Sequence, residues 1–459
     1  MGAAWLLERM AEWRSLPAMV WTDSTYTYGD LLDLVSTWQT EMRDRGVGTG
    51  SVVMIEGTFS PNACALLLAL LAGDAVAVPL TPQASVNGDE LARIAEIQIH
   101  VTFDATDGWT MRRHETIPEN PLLVTLRSRD HAGLVIFSSG STGASKGVLH
   151  DFSLLADNYR VPRRRKCTLT FLLFDHIGGI DTLLNTFSSG GTIVTVQNRE
   201  PDEVCAAITR HSVHTLPASP TFLNLLLISE AYTRHDMSSL RVIAYGTEPM
   251  PETTLQRLNE AFPSVSLVQT YGLSELGVLR SRSKDSRSLW LQFVDDDCET
   301  KVVAGVLWVR MKSAMLGYLN APELVDGDGW LNTEDAVETD GDFIRILGRE
   351  SDLINVGGQK VYPAEVEAVF MQMDNVYDIA VYAEPNALVG QIVAARVNLI
   401  EPETLISLKR RMRAFGRERL EPYKVPVRVE ITDREQFNAR FKKVRRVATQ
   451  PQMSEDHDD

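Results

Sequence analysis

Cysteine is scarce in this sequence, and its few thiols are too scattered to build a disulfide framework or a zinc site. The cysteines are Cys64, Cys167, Cys205 and Cys298, with no CxxC pair among them. The histidines at 100, 114 and 131 also lack partners at metal-ligand spacing. This pattern excludes a small disulfide-stapled secreted scaffold and favours a reducing cytoplasm.

A long apolar run and an excess of basic residues are both missing. The most apolar segment, 63–71, is far shorter than the ~20 residues that cross a bilayer. Glu8, Glu12 and Arg14 interrupt the apolar residues near position 1, which argues against a signal peptide. With 45 Lys plus Arg against 61 Asp plus Glu, the net charge is −16. We therefore expect no membrane span and no nucleic-acid partner held by a general basic surface.

The sequence does contain a glycine- and hydroxyl-rich loop directly after a β-forming run. The stretch 135–148 reads VIFSSGSTGASKGV. Glycines let the backbone turn tightly, while hydroxyls, successive N–H groups and Lys146 can surround an anion. The spacing differs from that of a Walker A loop, which ends in Gly-Lys-Ser/Thr. The alternative is a flexible linker, but linkers seldom follow a buried strand directly.

Alternating strand and helix patterns indicate a parallel sheet covered by helices. Residues 51–56 and 75–79 are β-forming runs, and Pro61 opens a helical segment, 62–72, between them. Such a βαβ unit implies parallel strands. At 459 residues the chain is long enough for two or more domains.

Polar residues follow two further predicted strands. Asp175 and His176 end an apolar run ahead of a Gly-Gly pair, where open α/β sheets place ligand groups. The alternative is a helix cap at Asp175 beside a packed histidine. Farther on, a strand at 267–269 leads into Tyr-Gly-Leu-Ser-Glu at 271–275. The aromatic ring can stack on a base, and the carboxylate can hold Mg²⁺.

Taken together, these motifs resemble those of the adenylate-forming superfamily, which includes acyl-CoA synthetases, peptide-synthetase adenylation domains and luciferases. Five segments occur in the family's order: 135–148, 245–250, 270–275, 328–335 and 357–367. The resemblance covers roughly residues 20–447. It identifies the chain as a stand-alone AMP-dependent synthetase and ligase.

The resemblance implies an α/β fold with two domains. We expect a large N-terminal domain of stacked α/β sheets plus a β-barrel at 1–349, which binds ATP and the carboxylate. We expect a small, mobile α+β lid domain at 350–459, with a hinge at Ser351 and a thiol tunnel at Gly357 and Gly358. Its acidic tail, 450–459, is expected to be disordered.

The resemblance also implies a nucleotide site. The expected ATP-binding residues are Ser138, Ser139, Gly140, Ser141, Thr142, Gly143, Lys146, Gly246, Thr247, Glu248, Pro249, Thr270, Tyr271, Gly272, Ser274, Asp335 and Arg349. Among them, the Tyr271 ring would stack on adenine, and Asp335 and Arg349 would hold the ribose. The catalytic residues would be Lys443, Thr142 and Glu275, of which Thr142 and Glu275 would hold Mg²⁺. Lys443 follows from counting back from Arg446, which puts Lys442 at the family's glycine and Ala439 at its threonine.

A carboxylate pocket is implied beside the nucleotide. Its expected residues are Asp175, His176, Gly178, Gly179, Tyr245, Gly246, Gly272, Leu273 and Gly277. In the family the polar residue of this pocket is a histidine in acyl and aryl ligases or an aspartate in amino-acid-activating domains. This chain has both, and an amine on the acid would suit the aspartate. Tyr245 replaces a small residue, which predicts a modest pocket.

The implied reaction is the ATP-dependent activation of a small carboxylic acid to an acyl adenylate, with release of pyrophosphate. The acyl group would then pass to the thiol of CoA or of the phosphopantetheine arm of an acyl carrier protein. Three departures from the family's motifs leave alternatives open, namely Ser145 for proline, Glu334 for glycine and Lys442 for glycine. One alternative is an amine or alcohol acceptor. The other is a nucleotide-binding relative that has lost one half-reaction.

Overall fold

The computed structural model describes residues 4–139, 145–295, 297–322 and 324–445. The chain forms two compact units, Met1–Ile346 and Leu347–Asp459. This division lies close to the domain limit predicted at 349, and the functions assigned to the two domains stay predictions. Within the described ranges, no helix combines the length and apolar character that a membrane span needs. The predicted acidic tail, 450–459, lies outside the described residues.

The first unit contains two large sheets, one parallel except at an edge and one that mixes parallel and antiparallel pairs. The strands of the first sheet are β1 Pro17–Trp21, β2 Ser24–Thr27, β9 Cys167–Leu169, β10 Thr192–Val194, β11 Thr215–Ala218, β12 Val242–Tyr245 and β13 Ser266–Gln269. Their order is β13-β12-β11-β9-β10-β1-β2. Only β2, at the edge, is antiparallel to its neighbour.

The second sheet carries the strands that flank the glycine-rich loop. Its strands are β3 Val52–Glu56, β4 Val76–Leu80, β5 Ile99–Phe103, β6 Trp109–Arg113, β7 Gly133–Ser139, β8 Ser145–Asp151 and β20 Gly317–Tyr318. They lie in the order β20-β8-β7-β4-β3-β5-β6. β3 and β4 are parallel and joined by the helix Pro61–Ala72, which confirms the βαβ unit predicted from the sequence.

Helices pack on these sheets. The helices of the first unit are α1 Ala4–Ala11, α2 Tyr28–Asp44, α3 Pro61–Ala72, α4 Gly88–Ile94, α5 Pro121–Ser128, α6 Phe152–Leu155, α7 Ile177–Phe187, α8 Pro201–His211, α9 Pro220–Ser229 and α10 Glu252–Ala261. One core joins Leu67 of α3 and Leu183 of α7 to Ile55 of the second sheet and Ile193 of the first. Because α3 is covered on nearly every face, its sequence is apolar all round.

The third sheet of the first unit is antiparallel, and it occupies the part of the chain where the sequence predicted a β-barrel. Its strands are β16 Ser281–Ser283, β17 Trp290–Phe293, β18 Cys298–Val303, β19 Val306–Met311, β21 Leu331–Asp340 and β22 Phe343–Arg349, in the order β16-β17-β22-β21-β19-β18. A separate hairpin pairs β14 Tyr271–Leu273 with β15 Gly277–Leu279. Leu273, Leu279 and Leu307 share one core, so the hairpin packs against this sheet.

The second unit has the α+β character that the sequence predicted. Its strands are β23 Ile354–Val356, β24 Gln359–Val361, β25 Val376–Asn386, β26 Gly390–Leu399 and β27 Arg428–Ile431, and its helices are α11 Pro363–Phe370 and α12 Leu405–Arg417. The order is β24-β23-β26-β25, and β27 pairs with β26. Phe370, Val381 and Leu408 lie in the core, where both helices cover one face of the sheet.

Asp181 of α7 gives the first unit a testable pH dependence. Its Oδ1 accepts hydrogen bonds from Tyr159 Oη at 3.1 Å and from Asn185 Nδ2 at 2.8 Å. Burial raises the pKa of this carboxyl from 3.8 to about 6. Between these two values the unfolded chain has lost the proton and the folded chain keeps it, so stability falls as the pH rises.

We therefore expect Asp181→Asn to raise the free energy of unfolding at pH 8 by up to about 2 kcal/mol, because the amide keeps an acceptor without a charge. The gain should vanish below pH 4, where the wild-type carboxyl is neutral in both states. Thermal unfolding at the two pH values measures it, with the exposed Asp33→Asn as control. An equal gain at both pH values would contradict the explanation.

Candidate active site

The glycine-rich loop is bracketed by two paired strands. Ser138 of β7 pairs with Lys146 of β8, and Ser139 pairs with Ser145. The stretch 135–137 is buried, so the loop does follow a buried strand. Outside the described residues lie the predicted ATP-binding residues Gly140, Ser141, Thr142 and Gly143.

Asn320, which was not among the predicted site residues, holds the start of β8 with two hydrogen bonds. Its Nδ2 donates to the Ser145 carbonyl at 2.8 Å. Its Oδ1 accepts from the Gly147 N–H at 3.0 Å. Lys146 lies between these two contacts, so its backbone is fixed on both sides.

Lys146 and Glu275, predicted on separate motifs, come together at Tyr318. The Tyr318 hydroxyl donates to Glu275 Oε1 at 2.6 Å. The Lys146 ammonium lies 5.0 Å from the centre of the same ring. β20 brings Tyr318 here because it pairs with β8. The site therefore has a carboxylate at the hydroxyl and a cation over the ring of one tyrosine.

His150 ties the loop of Glu275 to β8. Its Nε2 lies 2.6 Å from the carbonyl of Ser274, so this nitrogen carries the proton and donates it. The ring is fully buried, and burial lowers the pKa of His150. The Glu275 carbonyl accepts from the Met315 N–H at 2.8 Å. The hydrogen bonds from His150 and from the Met315 N–H thus fix the backbone at Ser274 and Glu275.

A second pair of predicted residues, Tyr271 and Asp335, is joined directly. The Tyr271 hydroxyl donates to Asp335 Oδ2 at 2.6 Å, and both side chains are buried. The Tyr271 ring lies 5.4 Å from the ring of Phe293. The residue predicted to stack on adenine and the one predicted to hold the ribose are therefore neighbours.

Asp335 is presented by a β-bulge. Pairing between β19 and β21 shifts register where residues 333–335 lie opposite Leu307. Glu334, which replaces the family's glycine, has φ +58°, a left-handed conformation that glycine adopts readily. Thr333 Oγ1 donates to the Leu307 carbonyl and accepts from the Asp335 N–H. The bulge is thus kept without the glycine, and Asp335 stays in place.

The turn after β12 is tightly packed against the segment that begins at Thr270. Tyr245 is buried, and its carbonyl accepts from Thr270 N and Oγ1 at 2.8 and 3.1 Å. A Cβ on Gly246 would lie only 2.5 Å from Thr270 Oγ1, so this position requires glycine. Glu248 accepts from the N–H and the hydroxyl of Thr221 in α9, and Pro249 follows it in the turn.

Thr247 in this turn is strained. Its φ is +74°, which is rare for a β-branched residue, and its buried hydroxyl has no hydrogen-bond partner among the described residues. We expect Thr247→Gly to raise the free energy of unfolding by about 1 kcal/mol or more, because glycine accepts this conformation. Thr247→Ala removes the hydroxyl and keeps the strain, so chemical denaturation of both variants separates the two costs. A lower free energy of unfolding in Thr247→Gly than in wild type would contradict the claim that Thr247 is strained.

The remaining predicted pocket residues of this region lie in the β14–β15 hairpin. Gly272 pairs with Val278, and a Cβ on Gly272 would lie 2.6 Å from the Gly277 carbonyl. Leu273 is buried in the core of the third sheet. Close strand packing therefore explains the glycine at 272, whatever its role in ligand binding.

Asp175 lies buried at the carboxyl end of the first sheet, and the structure adds two neighbours that the sequence did not reveal. Its Oδ2 accepts from Thr81 Oγ1 at 3.0 Å. The second neighbour is Arg199, whose charge interacts with that of Asp175. Burial lowers the pKa of Arg199, and the attraction to Asp175 partly offsets this decrease. Arg199 also donates to the Phe171 carbonyl at 3.4 Å. The positions of Thr81, Asp175 and Arg199 in the sequence do not predict that these residues lie together.

His176, not Asp175, caps the helix that follows. The N-cap of α7 is His176, whose Nδ1 accepts from the Gly178 N–H at 3.0 Å. This corrects the alternative of a cap at Asp175. A Cβ on Gly178 would meet the side chain of Leu172, whereas one on Gly179 would lie 2.0 Å from the Leu173 carbonyl oxygen. Gly179 is therefore required by backbone packing.

The predicted hinge and thiol-tunnel residues lie in the second unit. Arg349 ends β22, and Ser351 lies in a single 3₁₀ turn, Glu350–Asp352. Gly357 and Gly358 form the two-residue turn between β23 and β24, with φ +58° and +90°. Both residues of such a hairpin turn need positive φ, which explains the glycine pair.

Lys443 is held inside the second unit. Its ammonium pairs with Asp378, and both side chains are largely buried. Next to it, Arg445 forms a two-point ion pair with Glu367 at 2.7 and 3.0 Å. Burial raises the pKa of Glu367, but Arg445, Lys443 and the Val381 N–H together outweigh it and bring that pKa below its ordinary value. These contacts give Lys443 and Arg445 a structural role.

Lys442 lies directly after the turn of a small hairpin, 437–443. Phe437 bridges to Lys443, and the Asn438 side chain accepts from the N–H groups of Arg440 and Lys442 at 2.9 and 3.2 Å. Phe441 has φ +52°, a glycine-like conformation. If Phe441 takes the family's glycine position, Asn438 takes its threonine position and Arg445 its arginine position. That register is one residue earlier than the predicted one.

Comparison with known proteins shows the family. The chain matches the AMP-binding enzyme family over residues 6–319 and the AMP-binding enzyme C-terminal domain over 365–442. It therefore belongs to the AMP-binding enzymes, which confirms the resemblance to adenylate-forming enzymes drawn from the motifs.

Several relatives and solved structures are similar to this chain. The 4-coumarate–CoA ligase-like 9 protein of Arabidopsis thaliana is 27% identical over 423 residues, which span 80% of this chain and 75% of the relative. A 3-[(3aS,4S,7aS)-7a-methyl-1,5-dioxo-octahydro-1H-inden-4-yl]propanoyl:CoA ligase of Mycobacterium tuberculosis is 31% identical over 319 residues, spanning 65% of this chain and 62% of the relative.

The solved structures agree over the whole fold. The anthranilate CoA ligase AuaEII in complex with anthranoyl-AMP has a TM-score of 0.81 at 19% identity, covering 97% of this chain and 96% of that one. ATP-bound MatB from Rhodopseudomonas palustris has a TM-score of 0.80 at 21% identity, covering 96% of both chains. At such identities the likeness establishes the fold, including a large N-terminal and a small C-terminal domain.

Proposed function

We propose that this protein activates a small carboxylic acid with ATP and transfers the acyl group to the thiol of CoA. In the first step a carboxylate oxygen attacks the α-phosphorus, the bond to pyrophosphate breaks, and an acyl adenylate forms. In the second step the thiol sulfur attacks the acyl carbon, the thiol proton is lost, and AMP leaves. The observation that carries the proposal is the convergence of Lys146, Tyr318 and Glu275 in a chain of this family.

Different residues of the first unit would bind the phosphates, the adenine and the ribose of the nucleotide. Lys146 would contact the departing phosphates, where a mobile ammonium suits a spread negative charge. The Tyr271 ring would lie against adenine, and Asp335 would accept the ribose hydroxyls while Tyr271 holds one of its oxygens. The carboxylate of the acid is already a nucleophile, so the protein needs to place the groups and stabilise charge.

The catalytic lysine in this proposal is Lys442. Two observations support this choice: Lys443 lies in an ion pair with Asp378, and Phe441 has the positive φ that suits a glycine position. The match to the C-terminal domain family also ends at residue 442. Lys442 would neutralise charge that develops between the acid's carboxylate and the α-phosphate. Lys443 would keep the hairpin attached to its own unit.

The residues present fit Mg²⁺ delivered with ATP rather than a metal held by the protein alone. Among the described residues, no group of three or more His, Cys, Asp and Glu side chains is arranged for a metal. One carboxylate, Glu275, stands beside the loop of Lys146, as suits an ion that keeps substrate phosphates and waters as ligands. When bound, Mg²⁺ would neutralise phosphate charge. Thr142, the second predicted ligand, lies outside the described residues.

The acid is proposed to be compact and to carry a polar group. Tyr245 is buried where the family resemblance implies the acyl pocket, so its ring would take up space that a long acyl chain would need. Phe171 and Phe222, with ring centres 4.2 Å apart, supply an aromatic wall close to Arg199. Asp175 and Arg199 supply opposite charges, so an amine or a second carboxylate on the acid would each find a partner.

An ATP–pyrophosphate exchange assay over a panel of aliphatic, dicarboxylic, aryl and aminoaryl acids tests this function. We expect exchange with a compact acid and, on adding CoA, formation of the thioester with release of AMP. Exchange without transfer to CoA would favour a phosphopantetheine-bearing carrier protein or an amine or alcohol acceptor. ATP binding without exchange for any acid would contradict the proposal and favour a relative that has lost the chemistry.

A further inference from the structure

We propose that Tyr318 is a positioning residue that sets Glu275 and Lys146 for the phosphates and Mg²⁺ of the bound nucleotide. The proposal rests on the proposed function and deepens it. Tyr318 was not among the predicted site residues, and it belongs to the two-residue strand β20.

The geometry gives one side chain two contacts of opposite charge. The Tyr318 hydroxyl donates to Glu275 Oε1 at 2.6 Å, a short distance typical of a hydrogen bond to an ionised carboxylate. The ring face lies 5.0 Å from the Lys146 ammonium, within the range of a cation–π contact. Tyr318 thus fixes the rotamer of the carboxylate and restricts the position of the ammonium.

The anchoring of Tyr318 suits this role. The residue is 5% exposed, and its ring packs in the core of the third sheet. Its backbone pairs with Val148 of β8, two residues beyond Lys146. Gly317 pairs with Leu149, and Asn320 grips Ser145 and Gly147. The tyrosine is therefore rigid, whereas the Lys146 and Glu275 side chains it contacts are long and rich in rotamers.

A carboxylate that binds a metal is commonly oriented by a hydrogen bond from a neighbouring residue, and loss of such a bond costs ten- to a hundredfold in metal affinity or activity. Here the hydroxyl engages Oε1, so Glu275 would be held in one orientation when it meets the ion. Without the hydroxyl, Glu275 would sample several rotamers before it met the metal. The ring contact would likewise restrict the rotamers of Lys146 before ATP binds, so less side-chain entropy would be lost on binding.

Two variants separate the hydroxyl from the ring. Tyr318→Phe keeps the ring beside Lys146 and removes the bond to Glu275, whereas Tyr318→Leu removes both. A matched control is Tyr159→Phe. The Tyr159 hydroxyl also donates to an aspartate side chain, Asp181, which is not among the predicted nucleotide-binding residues. Thermal unfolding of all three variants shows how much of any effect is loss of stability.

The test measures ATP affinity by calorimetry with Mg²⁺ and with EDTA, together with the Mg²⁺ dependence of ATP–pyrophosphate exchange. For Tyr318→Phe we expect about a tenfold weaker affinity for MgATP, little change for ATP in EDTA, and a higher Mg²⁺ requirement. Tyr318→Leu should weaken ATP binding in EDTA as well. Tyr159→Phe should match wild type in every binding measurement.

Equal MgATP affinity in wild type and Tyr318→Phe, or equal losses in Tyr318→Phe and Tyr159→Phe, would overturn the assignment. If wild type shows no exchange with any acid, the proposed function fails. The calorimetric comparison of Tyr318→Phe with wild type still decides the role of Tyr318 in nucleotide binding.

Discussion

The Lys442→Ala variant is expected to lower the rate of ATP–pyrophosphate exchange by about a hundredfold or more. Lys442 is the residue proposed to meet the negative charge that grows as the carboxylate attacks phosphorus. Removing a group that acts mainly in the transition state lowers the rate and leaves ATP binding largely intact. Steady-state exchange kinetics and calorimetric ATP affinity together measure this pattern.

Lys443→Ala provides the contrast, because its loss leaves the buried Asp378 carboxylate without its cation. That should destabilise the second unit by about 3–5 kcal/mol, as for other broken buried ion pairs. The double variant Lys443→Met with Asp378→Leu removes both charges and should recover most of this loss. Exchange measured below the unfolding transition should survive in Lys443→Ala and in the double variant. Intact exchange in Lys442→Ala with lost exchange in a folded Lys443→Ala would restore the register first predicted from the sequence.

The Gly179→Ala variant is expected to lose about 3 kcal/mol of stability or more. A Cβ at this position would lie 2.0 Å from the Leu173 carbonyl oxygen and 2.9 Å from its carbon. Backbone atoms cannot rotate away, so α7 would have to shift, and with it the His176 cap. Urea denaturation at one pH measures the change in the free energy of unfolding.

Gly178→Ala is the matched control for Gly179→Ala, one residue away in the same helix. Its Cβ would meet Leu172 Cδ1 at 2.7 Å, the end of a flexible side chain that can move. We expect a loss of at most about 1 kcal/mol, offset in part by the better helix propensity of alanine. Similar losses in the two variants would show that backbone packing does not set the need for glycine at 179.

The sequence predicted the elements whose residues act locally. The βαβ unit is confirmed because buried strands and a helix between them leave a clear apolar pattern. The helix predicted over 62–72 is found at Pro61–Ala72, where proline occupies its first position. The family was visible because its motifs keep their order along the chain.

The contacts that build the site could not be predicted in the same way. Thr81, Arg199 and Tyr318 meet Asp175 or Glu275 only because sheets bring distant segments together. The lysine register also depended on a dihedral angle at Phe441 that residue identity does not suggest. Phenylalanine at positive φ is rare, so the sequence alone gave no sign of a glycine-like turn at 441.

The hairpin that carries Lys442 has a consequence for the cost of catalysis. Asn438 closes the tip with two hydrogen bonds, and Phe437 stacks on Phe441 with ring centres 5.1 Å apart. The backbone of this loop is therefore ordered by its own contacts. A loop that is preorganised has already given up its conformational entropy during folding, so substrate binding energy is not spent on ordering it. The strained dihedral angle at Phe441 then lowers the free energy of unfolding of the free protein. It does not reduce the binding energy available in each catalytic cycle.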